Sequence, residues 1–218
     1  MVYGNTVGSR GKLNWNSKET REIRNRLKFS KIQKKVLIGK ILGDGSLVAT
    51  LTGKSYKLQV EHKLAHKDYV DWTASIFKSW LLSPPKILKK HNSWRFRTIS
   101  HPEITEFQKI FYRKGKKIIP VNIISLLDHP ISLAVWFMDD GGLHTKKRAV
   151  TISTHNFTKA ENNLLIDCLK SNFKLKVNLN WDGKGSRLYI PVKSIGRFKK
   201  LVNPYILPVM KYKIPLTP

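Results

Sequence analysis

The stretches "LIGKILGDG" at residues 37–45 and "LAVWFMDDG" at residues 133–141 decide the architecture of this chain. Each ends an apolar run on an aspartate followed by a glycine, Asp44-Gly45 and Asp140-Gly141. The 218 residues include 41 Lys+Arg and only 14 Asp+Glu. Like charges repel, so the adjacent acids Asp139 and Asp140 in so basic a chain indicate a specific need for negative charge at that point.

Capping residues predict that both runs are α-helices. Ser30, with Gln33 three residues later, fits a capping box that opens the first helix. Asp128, with Pro130 in the first turn, predicts the N-cap of the second helix. Both predicted helices end in the same way, with an acid and then a glycine.

Beyond the helices, the same order of elements occurs twice, which indicates an internal duplication. The strand-like segments "KLQVEH" (57–62) and "AVTISTHN" (149–156) each precede an amphipathic helix, two more strand-like segments and a short helix. The interval from Asp44 to Lys117 equals the interval from Asp140 to Lys213, 73 residues in both. We therefore predict a duplicated unit of the order αββαββα.

The duplication suggests a division of the chain into four parts. Residues 1–30 are rich in Gly, Asn and Ser and then basic, so we expect a loosely ordered basic arm. The first unit is predicted at 31–120 and the second at 130–218, with residues 121–129 as the linker. Each unit is long enough to bury a core without crosslinks.

Composition narrows the function. A net charge of +27 makes nucleic acid the leading partner, since a polyanion relieves the self-repulsion of so basic a surface. The single cysteine, Cys168, permits no internal disulfide, favours a reducing intracellular setting and lies among leucines, as is typical of a buried thiol. Without a signal peptide or an apolar run near the roughly 18 residues of a membrane span, we expect a soluble protein with no membrane association.

The two motifs resemble the signature helices of the LAGLIDADG homing endonucleases, in the single-chain form that carries two motifs. The chain departs from the signature at its third, fourth and sixth positions, and it keeps the last acid and glycine in both motifs. The resemblance covers about residues 30–218. It is greatest to the mitochondrial omega-intron endonuclease branch, through "LSPP" (82–85), "WFMDDGG" (136–142), "PYILP" (204–208) and "MKYKIP" (210–215).

This resemblance implies an α+β fold. The two αββαββα units would be related by a pseudo-twofold axis, with the motif helices packed at their interface. Two saddle-like antiparallel sheets would face double-stranded DNA. The protein would act as a monomer with no obligate protein partner.

Cutting a phosphodiester requires a nucleophilic water, neutralisation of developing charge and help for the leaving oxygen, all of which divalent cations on carboxylates supply. The resemblance implies Asp44 and Asp140 as metal ligands, one for each DNA strand, with Lys117 and Lys213 assisting the reaction. The expected cofactor is Mg²⁺, two or more ions, for which Mn²⁺ is expected to substitute.

Two further ligands follow from the helix ends, where carbonyl oxygens are free. Gly43 and Asp139 are candidates to donate backbone oxygens to the same ions. For Asp139 a supporting carboxylate or a solvated turn residue are alternatives. His62 and His66 have a spacing that zinc sites use, but the end of a strand and the start of a helix explain them better.

DNA contacts are expected on the polar faces of alternating strands, where side chains that read base edges would point away from the helices. A solvated sheet face would give the same alternation. The candidates are Lys57, Gln59, Glu61, Lys86, Arg95, Arg97, Thr151, Ser153, Lys176, Asn178, Asn180, Arg187 and Tyr189. Basic residues of the arm, Lys18, Arg21, Arg24 and Arg26, would contact phosphates.

Three functions are consistent with these features. The first is a site-specific homing endonuclease that makes metal-dependent double-strand breaks in a long asymmetric site, cutting across the minor groove to leave short 3′ overhangs and promoting intron mobility. The alternatives are an RNA-binding intron maturase and a DNA-binding regulator that does not cut. The presence of all four predicted acids and lysines favours the enzyme, in an organelle (mitochondrion or plastid) or a prokaryotic cytoplasm.

Overall fold

The computed structural model describes residues 17–145, 148–183 and 185–216. Its helices are α1 (Lys18–Arg26), α2 (Lys31–Leu42), α3 (Lys67–Ile76), α4 (Pro102–Phe111), α5 (Ile123–Leu126), α6 (Pro130–Asp140), α7 (Lys159–Phe173) and α8 (Val192–Val202). Its strands are β1 (Ser46–Ala49), β2 (Tyr56–Lys63), β3 (Lys86–Leu88), β4 (Ser93–Arg97), β5 (Tyr112–Arg113), β6 (Lys116–Lys117), β7 (Gly141–Leu143), β8 (Val150–Ser153), β9 (Asn178–Trp181) and β10 (Ser186–Ile190).

Two four-stranded antiparallel sheets have the same topology. Their strand orders are β1-β2-β4-β3 and β7-β8-β10-β9. Helices α2, α3 and α4 alternate with the strand pairs of the first sheet, and α6, α7 and α8 do so in the second. This is the αββαββα order twice, so the predicted α+β fold with two antiparallel sheets is confirmed.

Each sheet has one apolar and one polar face. In the first sheet Val60 pairs with Phe96 on the buried face, while Gln59 pairs with Arg97 on the other. In the second sheet Arg187 pairs with Asn180 on the polar face, and the intervening residues of β10 are buried. The period-2 alternation therefore separates side chains that pack on helices from those available to a partner.

The motif helices α2 and α6 pack directly against each other. Gly39 allows the close approach, since a Cβ there would lie 2.6 Å from the carbonyl oxygen of Ser132. The Ser132 hydroxyl donates to the Lys35 carbonyl across the interface at 2.8 Å. The predicted packing of the motif helices at the interface of the halves is confirmed, and it brings their C-terminal ends side by side.

The capping box of α2 forms as predicted, with Ser30 and Gln33 bonded reciprocally. For α6 the predicted cap was wrong. His129 is the N-cap, and its Nδ1 accepts from the N–H of Ile131 at 3.2 Å. Asp128 instead pairs with Lys35 of α2, which ties the start of one motif helix to the other.

Two segments outside the repeat are more ordered than expected. Residues 1–16 of the predicted arm lie outside the described residues, but 18–26 form α1, whose N-cap Ser17 accepts from the Thr20 N–H. The predicted linker, 121–129, contains α5. The boundaries of the four parts remain a prediction.

Cys168 lies where α7 packs on α5. The residue is fully buried, and its Sγ lies 3.4 Å from the Leu127 carbonyl oxygen. Burial raises the pKa of the thiol to about 12. This confirms the prediction of a small buried residue and excludes a thiolate nucleophile at neutral pH. Within the described residues no helix is long and apolar enough to cross a membrane.

Candidate functional site

The two motif acids line one cavity. Helix α2 ends before Gly43, and α6 ends on Asp140, so packing of the helices places both acids at the same end of the interface. The Asp44 side chain is 48 % exposed, and Asp140 is partly buried. Both face a cavity of about 610 Å³. Its lining also includes Lys116, Lys117 and residues 153–157, which begin at the last residue of β8.

The negative charge of this site affects the pKa of Asp140. Burial, with the negative charges of Asp44 and Asp139, raises the pKa of Asp140 to about 7, even though Lys117 and Lys213 act in the opposite direction. The carboxylates therefore repel one another, as the sequence led us to expect. A bound cation would relieve that repulsion.

Lys117 and Lys213 occupy corresponding places in the two halves. The Lys117 Nζ donates to the Gly43 carbonyl oxygen at 2.5 Å. The Lys213 Nζ donates to the carbonyl oxygens of Met138 and Asp139, at 2.6 and 2.9 Å. Each lysine thus binds the C-terminal end of the motif helix of its own half.

Different elements deliver these two lysines. Lys117 lies in β6 of the small β5–β6 hairpin, whereas Lys213 ends a 3₁₀ segment, Pro208–Lys213. Burial lowers the pKa of both amines. The neighbouring aspartates act to raise it, and the largest such effect comes from Asp140 on Lys117 and from Asp139 on Lys213. Both lysines therefore lie inside the acidic site rather than on open surface.

The two lysines contact the same carbonyl oxygens that were predicted as metal ligands. The carbonyl oxygens of Gly43 and Asp139 accept from Lys117 and Lys213 respectively. A carbonyl oxygen has two lone pairs, so each has capacity for a second contact, and their metal role remains a prediction. Gly43 must be small, because a Cβ there would lie 2.4 Å from the Cβ of Asp139.

The Asp139 side chain is buried rather than solvated, so the alternative of a solvated turn residue was wrong. Its Oδ1 accepts from the Lys40 Nζ at 2.8 Å, in a pair whose side chains are both 0 % exposed. Its Oδ2 accepts from the backbone N–H of Asp44 at 3.0 Å. The Asp139 carboxylate, on the second motif helix, therefore binds the C-terminal end of the first motif helix.

His62 and Tyr69 complete this buried cluster. The His62 Nε2 lies 3.0 Å from the Lys40 Nζ, and its Nδ1 lies 3.6 Å from an Asp44 carboxylate oxygen. The Lys40 Nζ lies 4.1 Å from the centre of the Tyr69 ring, in cation–π geometry. Burial and the Lys40 charge lower the pKa of His62 to about 3.

By distance alone, Asp44, His62 and Asp139 are a possible metal-binding group, since one ligand atom of each lies within 4.8 Å of the others. The Lys40 ammonium already contacts Asp139 and His62, where a cation would bind. His62 lies one residue before the end of β2 and His66 precedes α3, as the sequence interpretation favoured. Lys40, which departs from the family signature at the fourth motif position, was not predicted from the sequence as a residue of this site.

Comparison with known proteins settles the family of this chain. The sequence profile of the LAGLIDADG DNA endonuclease family matches residues 34–198. The chain belongs to this family. The family and the enzyme class predicted from the sequence, a DNA endonuclease, are confirmed.

Two relatives of the LAGLIDADG chain cover most of its length. It is 35 % identical over 198 residues to a probable intron-encoded endonuclease 1 from Wickerhamomyces canadensis, with 85 % of each chain covered. It is 27 % identical over 205 residues to the DNA endonuclease I-ChuI from Chlamydomonas applanata, covering 84 % of this chain and 94 % of the relative.

A solved structure of the homing endonuclease I-WcaI bound to its DNA recognition sequence is also similar. The identity is 34 %, the TM-score is 0.84, and the match covers 93 % of this chain and 94 % of that one. Sequence similarity and structural similarity thus both show the two-unit LAGLIDADG fold. Double-stranded DNA as the partner agrees with this fold. One chain supplies both halves.

The predicted DNA contacts of the first LAGLIDADG half share the polar face of its sheet. The Arg97 Nε donates to the Gln59 Oε1 at 2.5 Å, and Glu61 accepts from the Ser93 hydroxyl at 2.6 Å. Burial, Arg97 and Arg95 lower the pKa of Lys57. Lys86 is exposed on the edge strand β3. This face is positive and organised by its own hydrogen bonds.

The second half presents a different surface. Ser153, Asn178, Asn180, Arg187 and Tyr189 lie on its polar face. Arg187 forms an ion pair with Asp182, so part of its charge is compensated. Two candidates are less well placed: Thr151 is on this face but only 6 % exposed, and Lys176 precedes β9 rather than lying in it.

Proposed function

We propose that this protein is a site-specific homing endonuclease that makes metal-dependent double-strand breaks in a long asymmetric DNA site. One observation carries the proposal: Asp44 and Asp140 lie in one cavity at the ends of paired helices, with Lys117 and Lys213 bound to those same helix ends. A regulator or maturase that does not cut would need no such set of four. The presence of both acids and both lysines favours cutting.

Magnesium is the metal we propose, with two or more ions and with Mn²⁺ able to replace it. The donor set fits, because carboxylate and carbonyl oxygens are the ligands that Mg²⁺ prefers. Burial and the negative charges of Asp44 and Asp139 raise the pKa of Asp140 to about 7, and a cation at this place would stabilise the ionised carboxylates. When bound, the metal would activate water and neutralise charge on the phosphate. Asp44 and Asp140 would hold it, each serving one strand.

The lysines act on the reaction rather than on DNA in general. Each is fixed by a helix-end carbonyl beside an acid, so its ammonium is positioned before DNA arrives. A preorganised charge in a partly buried site stabilises developing negative charge more than a mobile surface lysine does. We assign Lys117 to the half-site of Asp44 and Lys213 to that of Asp140.

The two polar sheet faces would read the DNA on either side of the acids. Arginine and lysine side chains of the first sheet suit guanine edges, and the asparagines of the second suit adenine edges. Because the acids are adjacent at the centre, we propose cutting across the intervening minor groove, which leaves short 3′ overhangs. Arg24 and Arg26 of α1, with Lys18 and Arg21, would contact phosphates.

Intron mobility is the biological role we propose, since a relative is named as intron-encoded. A mitochondrial, plastid or prokaryotic location follows from that role. The joined exons that flank the intron would then supply the target.

The experiment places that joined exon sequence in a supercoiled plasmid and incubates it with the protein and Mg²⁺. The expected product is linear DNA, with short 3′ overhangs in end-sequencing. The controls are a reaction with EDTA and a reaction with a plasmid in which the intron interrupts the exon junction. Binding of the junction without any cutting in Mg²⁺ or Mn²⁺ would instead support the non-cutting regulator, and tight binding of intron RNA without cutting would support the maturase.

A further inference from the structure

The buried cluster around Lys40 connects the two halves of the molecule. Lys40 belongs to α2 and Asp139 to α6, and their side chains form an ion pair of 2.8 Å with no exposed surface. The second oxygen of Asp139 accepts from the Asp44 N–H. Asp44 is therefore held, through its backbone, by a carboxylate that Lys40 in turn fixes.

Among the residues that the structure describes, the cluster has no counterpart around Asp140. The spacing between the two motif acids places Trp136 at the position of Lys40, and Gly43 at the position of Asp139. The sheet registers, Ser46 with Gln59 and Gly142 with Thr151, place Thr154 at the position of His62. A duplicated fold thus surrounds its two acids with different neighbours.

The tautomer of His62 follows from the same contacts. A lysine ammonium has donors and no acceptor, so the His62 Nε2 must accept from the Lys40 Nζ at 3.0 Å. The imidazole proton then lies on Nδ1, whose nitrogen is 3.6 Å from an Asp44 carboxylate oxygen. That distance is too long for a hydrogen bond, so the interaction between His62 and Asp44 is electrostatic.

We propose that Lys40, Asp139 and His62 are positioning residues for Asp44 and that Asp140 has no equivalent set among the described residues, so that the two DNA strands are cut by non-equivalent centres and the strand served by Asp44 depends on Lys40. This inference rests on the proposed function, in which each acid serves one strand. Partners that orient a metal ligand without touching the metal change activity by about 10- to 100-fold when removed. The asymmetry lies in buried residues.

The test measures the first nick in each strand separately. A duplex is selected by cleavage with the wild-type protein from a randomised pool and labelled with a different dye on each strand. We expect Lys40→Met to slow nicking of one strand by about 10-fold or more relative to the other. Nicked DNA should then accumulate. His62→Asn, which keeps a donor near Asp44, should shift the balance less.

Folding defects are separated by two further variants. Lys40→Met combined with Asp139→Asn removes both buried charges and should fold, and it should show the same strand imbalance. Ser132→Ala removes a hydrogen bond between α2 and α6 away from the acids. It should leave the ratio of the two nicking rates unchanged, whatever it does to stability.

Equal slowing of both strands in the Lys40 variants, or no slowing, would overturn the inference and reduce Lys40 to a structural residue. Asp44→Asn and Asp140→Asn are measured alongside. If either acid variant nicks both strands at the wild-type rate, the proposed function itself fails, and this outcome is distinct from a failure confined to Lys40.

Discussion

Lys40 and Asp139 form a buried ion pair whose loss should lower stability. A charge buried without its partner costs about 3–5 kcal/mol, and both side chains are 0 % exposed. We expect Lys40→Met to lower the free energy of unfolding by about that amount in urea denaturation. Lys34→Met is the matched control on the same helix, because its pair with Glu103 is long, at 3.7 Å, and partly exposed. An equal, small effect of both variants would contradict a tight buried pair.

Lys117 and Lys213 test the distinction between catalysis and binding. Each is fixed inside the acidic site, so Lys117→Ala or Lys213→Ala should slow cleavage by about 100-fold or more, as removal of a transition-state donor does. Affinity for the target duplex, measured by fluorescence anisotropy in Ca²⁺ to prevent cutting, should change much less. Lys109→Ala, at an exposed lysine of α4 outside the cavity lining, is the control. Matched losses of cutting and binding would make these lysines phosphate anchors.

Asp140 predicts a pH dependence of the metal-free protein. Its pKa is raised from 3.8 to about 7 in the folded state, so between these values the folded protein holds a proton that the unfolded chain has lost. This acid therefore makes stability fall as pH rises from about 4 to about 7. In EDTA, urea denaturation should show a smaller fall for Asp140→Asn than for the wild type. Identical pH profiles would show that the carboxyl titrates normally.

At the scale of elements, caps and periodicity sufficed to predict the helices of the repeat, because both signals are local, but not α1 and α5 outside it. The error at α6, where His129 rather than Asp128 is the cap, has a long-range cause, since the Asp128 carboxylate pairs with Lys35 on the facing helix instead. Lys40 was unpredictable as a buried charge. Its partner Asp139 lies 99 residues away in sequence, and only the packing of α2 on α6 brings them together.

The closeness of the two motif helices gives a prediction of its own. A Cβ at Gly39 would meet the Ser132 carbonyl oxygen at 2.6 Å, which neither backbone can avoid without separating the helices. Gly39→Ala should therefore lower the melting temperature and slow cutting, because it displaces both acids. Gly196→Ala in α8, where an added Cβ meets nothing within 4 Å, should raise stability by up to about 1 kcal/mol. A neutral Gly39→Ala would contradict the close packing.

For the whole molecule, the duplication was the most informative feature of the sequence. The equal spacing of Asp44 to Lys117 and Asp140 to Lys213 indicated the duplication, and the family resemblance implied that these four residues act in one site. All four lie at the helix ends. The differences between the halves could not be read from the repeat. They arise where side chains of one half, such as Asp139, complete the environment of the other.

The same asymmetry extends to the sheets. The polar face of the first half carries arginines and lysines, while that of the second carries neutral side chains and an arginine paired with Asp182. Phosphate and base contacts of the two halves should therefore contribute unequally to the salt dependence of binding. One chain with two unlike halves suits an asymmetric DNA site.

The central claim is that Asp44 and Asp140 are paired metal ligands for cutting DNA. The most direct measurement is double-strand cleavage of the cognate duplex in Mg²⁺ by Asp44→Asn and Asp140→Asn, with binding measured in parallel. We expect both variants to bind the duplex about as tightly as the wild type and to make no double-strand break. Wild-type-like cleavage by either variant would contradict it.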